Sequence, residues 1–118
     1  MTLDEFFTGQ LESRRIFEAL QAAILAQGPA QIHVTKSQVA FRRRVAFAWA
    51  WMPGMYLRGK QAPLVLTLSL RRRHPSPRWK EIVEPVKGRF THHLELRTSA
   101  EIDAEVREYL REAWEAAG

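Results

Sequence analysis

The feature that most constrains this chain is a change of hydrophobic period along its 118 residues: helical, then two, then helical again. From Ser13 onward, Ile16, Phe17, Leu20, Ala23 and Ile24 recur at three and four residues, which puts them on one stripe of a helix. Before it, Thr2 and Glu5 have capping-box spacing, and Leu3, Phe6 and Phe7 suggest a short first helix broken near Gly9. Gly28-Pro29 ends the long helix, because glycine accepts a left-handed cap and proline cannot continue.

The period then becomes two. Ile32 and Val34 alternate with His33 and Thr35, and Val39 and Phe41 with Ala40 and Arg42. Phe47, Trp49 and Trp51 alternate with Ala46, Ala48 and Ala50. Leu64, Leu66, Leu68 and Leu70 alternate with Val65, Thr67 and Ser69, and Phe90, His92, Leu94 and Leu96 with Thr91, His93, Glu95 and Arg97. These are five predicted strands. The short links at Lys36-Ser37 and Arg43-Arg44 require antiparallel pairing, since a parallel crossover needs a dozen or more residues. Segment 71–89, with Pro75, Pro77 and Pro85, reads as a long irregular excursion with one helical turn around Trp79 to Val83. After Thr98 and Glu101, a second capping-box pair, Ile102, Val106, Tyr109, Leu110 and Ala113 form the face of a final helix with Trp114 beside it.

Each helix offers one apolar stripe and the sheet offers one bulky face. The expected fold is therefore α+β: residues 1–118 as a single two-layer domain, a mainly antiparallel sheet of about five strands with the N- and C-terminal helices on one face. The simplest register puts Phe47, Trp49 and Trp51 with the leucines in the core. That leaves a small polar outer face of Thr35, Gln38, Ala40, Ala46, Ala48, Ala50, Thr67, Ser69, Thr91 and His93. Turned outward instead, the tryptophans would make a stacking platform for single-stranded bases. The core placement is the favoured one, because the leucine-rich partner strands need cover.

Charge divides the chain the same way. The net +5 averages −2 over residues 1–30, +11 over 31–97 and −4 over 98–118. The central cations sit mainly at turns, so the candidate ligand-binding residues are Lys36, Gln38, Arg42, Arg44, Arg58, Arg71, Arg73, Arg78, Lys80, Arg89 and His93. Arginine forks match phosphate in pairs of hydrogen bonds. Successive hairpins alternate between the two ends of a meander, so these clusters need not converge. The bland alternative is a solvated surface whose cations pair with the acidic helices.

Composition removes much chemistry. With 46% apolar and 26% charged residues the chain is an ordinary globular protein, not a disordered or collagen-like one. The absence of cysteine removes disulfides, thiolate nucleophiles and thiolate metal sites. Asp4 and Glu5 contradict a secretory leader, and no stretch approaches the ~20 apolar residues of a bilayer span, so the expected setting is the cytoplasm, with no membrane partner. No zinc-finger spacing, glycine-rich phosphate loop or Gly-x-Ser-x-Gly elbow is present, and the four histidines lack metal-ligand spacing. No cofactor and no metal are expected.

Lys36-Ser37-Gln38-Val39-Ala40-Phe41, Phe47-Ala48-Trp49, Pro77-Arg78-Trp79-Lys80-Glu81, Phe90-Thr91-His92-His93 and the final helix through Ile102, Val106, Leu110 and Ala113 resemble the bacterial domain of unknown function 5655 family over nearly the whole chain. Some members of that family are fused to other small domains or nuclease-like modules. The resemblance implies an accessory or binding role and supplies no catalytic residues. The expected function is a small binding domain whose basic sheet-and-loop surface takes nucleic acid or another phosphate-bearing ligand. Two alternatives stay open: a protein-interaction or homodimer module, and a metal-independent enzyme using His93 and Lys36.

Overall fold

The computed structural model describes residues Met1–Gly118. In chain order its elements are α1 (Leu3–Phe6), α2 (Leu11–Leu25), β1 (Gln31–Val34), β2 (Val39–Arg42), β3 (Ala46–Trp51), β4 (Leu64–Leu70), β5 (Glu81–Val86), β6 (Arg89–Leu96) and α3 (Ala104–Ala116). The strands form one antiparallel sheet in the order β1-β2-β3-β4-β6-β5, and the helices cover one of its faces. The expected α+β architecture is present. No helix is long and apolar enough to cross a membrane.

Local chemistry sets the helix ends. Thr2 Oγ1 accepts from the Glu5 N–H at 3.1 Å while the Glu5 carboxylate accepts from the Thr2 N–H at 2.9 Å, closing the predicted capping box. The Thr98–Glu101 box also forms, but it caps a 3-10 turn over Ser99–Glu101; α3 is capped by Asp103, whose carboxylate accepts from the Val106 N–H at 3.1 Å. Gly28 has no room for a side chain: a Cβ there would lie 2.2 Å from the Trp114 ring.

The core lies between the helices and the leucine face of the sheet. Phe17, Leu20 and Ile24 from α2 and Val106, Leu110 and Ala113 from α3 meet Leu64, Leu66, Leu68 and Leu70 of the central strand, all essentially without solvent contact. Burying one such leucine side chain contributes roughly 1.5–3 kcal/mol.

Three expectations fail, each for a packing reason. First, Trp49 and Trp51 do not face the helices. The pairs Val39↔Ala50 and Phe41↔Ala48 put the two alanines on the core face, fully buried, and the two tryptophans on the opposite face. Small side chains there let α3 pack against β3, so the alanines leave the outer face and the tryptophans join it. Second, Phe47 does not follow its neighbours. Ala46 pairs with Arg42 and Ala48 with Phe41, which leaves Phe47 as the extra residue of a bulge and delivers it to the core at 1% exposure. Third, the 71–89 excursion is not irregular throughout. Residues 81–86 form a sixth strand at the sheet edge instead of a helical turn, with Pro85 inside a register break between Val83 and Val86. An edge strand tolerates proline because its outward N–H needs no partner. The excursion also returns Trp79 to the core.

Candidate binding face of the sheet

The face away from the helices is open. One cross-strand row runs over it through His33, Ala40, Trp49, Thr67, His93 and Glu81, each directly paired with the next. Trp51 joins this row diagonally, its indole Nε1–H donating to Thr67 Oγ1 at 2.9 Å. Thr67 Oγ1 lies 2.8 Å from His93 Nδ1. Thr67 is buried, and its hydroxyl proton has no other acceptor. The assignment that satisfies every group has Thr67 donating to Nδ1, which leaves His93 neutral with its proton on Nε2. Burial pushes the His93 pKa down, against a smaller upward pull from the Glu81 carboxylate.

These groups line a groove of about 450 Å³ bounded by Trp49, Trp51, Tyr56, Thr67, Thr91 and His93, with Ser37 and Gln38 on its rim. The rim is built locally. Thr35 Oγ1 accepts from the N–H groups of Ser37 and Gln38, and its own N–H donates to the Gln38 carbonyl at 2.9 Å, folding the β1–β2 link. Tyr56, from the turn after β3, donates its hydroxyl to the Ser37 carbonyl at 3.3 Å. The volume lies within the roughly 300–1,000 Å³ of small-ligand sites, and aromatic walls with a few polar edges are their usual lining.

The basic turns do converge in part. The Arg42–Arg44 turn, the run Arg71–Arg73 and the Lys87-Gly88 turn all lie at the end of the sheet where Leu70 pairs with Phe90 and Val86 with Arg89. Arg44, Arg71, Arg89 and Ser69 line one cavity there, about 270 Å³, walled by Phe47 and the last turn of α3. Arg42 lies beside it on the open face, bordering a recess with Gln31 and His33.

Part of this charge stabilises the fold. Arg71 donates to the Ala116 carbonyl at 3.0 Å, and Arg43 to the Trp114 carbonyl at 2.8 Å with its guanidinium 3.5 Å above the Trp114 ring. The Arg44 and Val45 N–H groups both donate to the Ala117 carbonyl. A helix leaves its last carbonyls unpaired and its C-terminus partly negative, so cations belong there.

The remaining candidates separate cleanly. Arg78 donates to Asp103, Glu105 and the Glu101 carbonyl, tying the excursion to the start of α3, and Lys80 pairs with Glu95 at 3.0 Å. Arg78 helps hold the carboxyls of Asp103 and Glu105 below their usual range; for Asp103 the Val106 N–H acts first. Arg73 lies 5.7 Å from the Phe90 ring. Lys36 and Arg58 sit at the other end of the sheet, in the β1–β2 link and the β3–β4 connection. Gln38 and His93 share the groove, and Arg42, Arg44, Arg71 and Arg89 share the arginine end.

The family model for a domain of unknown function (DUF5655) matches residues 3–117. The chain belongs to that family. No curated protein and no solved structure matches it. The match spans all the elements just described, so both the groove and the arginine end lie within the DUF5655 domain.

Ser37 and Tyr56 are the groove residues of this domain that a reading of residue types misses; Thr67 and Thr91 lie on the open face as their alternation predicts, and Trp49 and Trp51 take the outward orientation that the sequence reading disfavours. The alternation of large and small on β3 does carry a signal, since a strand of alternating tryptophan and alanine has two packable faces. Only the pairing with Val39 and Phe41 decides which face meets the helices.

Proposed function

We propose that this domain binds an anionic ligand at the arginine end of its sheet. The observation that carries the reading is the gathering of Arg44, Arg71 and Arg89 around one cavity with no carboxylate partner for any of them. Elsewhere the acidic helices neutralise the basic segment: Arg72 takes Glu112, and Arg78 takes Asp103 and Glu105. Arg44 and Arg89 meet no acidic side chain of those helices, and Arg71 reaches only the Ala116 carbonyl at the end of α3. A phosphate-bearing ligand supplies the missing charge, and guanidinium forks grip it in pairs of hydrogen bonds.

Calorimetric titration with tripolyphosphate at two salt concentrations tests this. The expected result is salt-sensitive binding that falls at least about tenfold in Arg44→Ala and in Arg89→Ala, equivalent to ~1.4 kcal/mol. Binding that ignores both substitutions but disappears in Lys36→Ala or Arg58→Ala moves the site to the opposite end and overturns the reading.

A protein-interaction role has one observation in its favour, the exposed run Met55, Tyr56 and Leu57 beside the groove. The sheet edges favour it less: β1 has four residues, and β5 carries Pro85 and a register break, devices that discourage edge pairing. An enzyme built on His93 and Lys36 has less support, because Lys36 does not line the groove that holds His93.

A further inference from the structure

We infer that the anionic ligand is single-stranded nucleic acid, with bases stacked in the tryptophan groove and phosphates on the neighbouring arginines. The inference rests on the anion-binding reading above and adds the open face to it.

Adjacency is the first argument. Ser69 and Thr91 are directly paired, and Ser69 lines the arginine cavity while Thr91 lines the aromatic groove. The two recesses therefore meet across one strand pair. From Thr67 in the groove to Arg71, the first residue after β4, is four residues, about 13 Å at ~3.3 Å per residue. That is a multi-nucleotide separation, and a positively charged path beside aromatic side chains is how single strands are held without sequence preference.

The groove chemistry is the second argument. Trp49, Trp51 and Tyr56 present planar apolar surface that remains partly solvent-accessible on a finished fold. Between them lie Gln38, a donor and an acceptor, and His93, whose Nε2–H is the nitrogen that Thr67 leaves free. Bases offer matching faces and edges.

Charge placement is the third. Glu81 closes the row beyond His93 with a carboxylate that has no cation partner, which disfavours phosphate there, while Glu95, two residues along β6, is already paired with Lys80 and Arg97. Arg42 and His33 border the other side, over a floor kept low by Ala40 and Ala46. The strand is thus directed across β2, β3 and β4. A duplex is disfavoured, because its bases are already stacked and an open sheet face has no helix or ribbon to enter its major groove.

Fluorescence anisotropy with the whole protein, at low and moderate salt, decides between these. The probes are a labelled mixed-sequence 12-nucleotide single strand, an abasic strand of equal length, the matching duplex and a nucleoside monophosphate as competitor. The single strand should bind about tenfold or more tighter than the abasic strand, and Trp49→Ala should remove that difference while leaving abasic binding unchanged. Trp49→Phe should retain most of it. In the unaltered protein, tryptophan fluorescence should be quenched by the base-bearing strand and not by the abasic one, a readout independent of how the variants fold. Equal affinity for both strands would overturn the base-stacking inference and leave the anion site standing. A duplex that binds as well as the single strand, or a monophosphate that competes as well per molecule, would also overturn it. No binding of either strand at low salt, with no binding of tripolyphosphate, removes both readings.

Discussion

The two faces of β3 carry an inverted distribution of bulk. On the helix side stand Ala48 and Ala50, both completely buried; on the open side stand Trp49 and Trp51, partly exposed. A rule that large apolar residues go inside holds for Phe47 and gets the rest of this strand, Ala48 to Trp51, backwards. What decides is space: α3 lies close over β3, and the leucines of β4 and β6 together with Phe17 and Phe41 already fill the layer. Large aromatic side chains placed where a fold does not need their volume point to a use outside the core.

The largest test of this contrast removes bulk from each face. Leu66→Ala should destabilise the domain by ~2–5 kcal/mol, the range for deleting a buried leucine, with its midpoint in urea lowered accordingly. Trp49→Ala deletes more atoms and should cost less than half as much, because its ring is not enclosed. A Trp49→Ala loss as large as that of Leu66→Ala would mean the open face is part of the core.

Adding bulk should give the opposite asymmetry and a smaller effect. Ala50→Leu pushes into a filled layer beneath α3 and should cost ~1–3 kcal/mol. Ala40→Leu, directly paired with Trp49 on the open face, should stay within about 0.5 kcal/mol. Denaturant unfolding of the two variants side by side checks both.

The sequence made one face legible and hid the other. The leucine alternation of β4, the helical stripes and the Thr2–Glu5 box are local patterns, and local physics realises them. Two features are not local. The side of β3 that faces the helices depends on its register with β2, and the bulge at Phe47 shifts that register in a way no periodicity reveals. Strand β5 was obscured because Pro85 and the charged residues around it carry the marks of a loop; it is a strand because β6 supplies a partner. The arginines show the same division. Residue type marked them all as anion ligands, but Arg78 and Lys80 meet carboxylates brought from distant sequence.

Adjacent histidines extend the comparison to pH. His92 points into the core without solvent contact, its Nδ1–H donating to the Phe90 carbonyl at 3.0 Å and its Nε2 accepting from the His74 N–H at 3.0 Å. Those bonds suit a neutral imidazole. Burial lowers the pKa of His74, His92 and His93 below the ordinary 6.5. A histidine with a lowered folded value binds its proton more readily when unfolded. Its stabilising contribution is therefore complete above about pH 6.5 and is lost as pH falls through the folded value. Urea midpoints should be level from pH 8 to 7 and decline between 6.5 and 5, before Asp103, Glu105 and Glu112, all lowered below their usual carboxylate values, begin to protonate. His92→Gln, which keeps a donor and an acceptor but does not titrate, should flatten most of that decline; His93→Gln should flatten less of it. An unchanged decline in His92→Gln would place the proton-sensitive group elsewhere.

The smallest effect separates cations that hold the fold from those left free. Arg72 grips both oxygens of Glu112 at 2.9 and 2.8 Å, yet its side chain is half exposed, so Arg72→Ala should cost only ~0.2–1 kcal/mol and leave anion affinity nearly intact. Arg89 has no carboxylate within reach and sits at the start of β6 on the open face. Arg89→Ala should leave the urea midpoint where it is. If Arg89 holds a phosphate, its loss should lower the slope of log affinity against log salt for a single strand by about 0.7, the share of one phosphate contact. Stability and salt slope thus respond to different arginines. A variant that moved both together would show that folding and binding draw on the same charge.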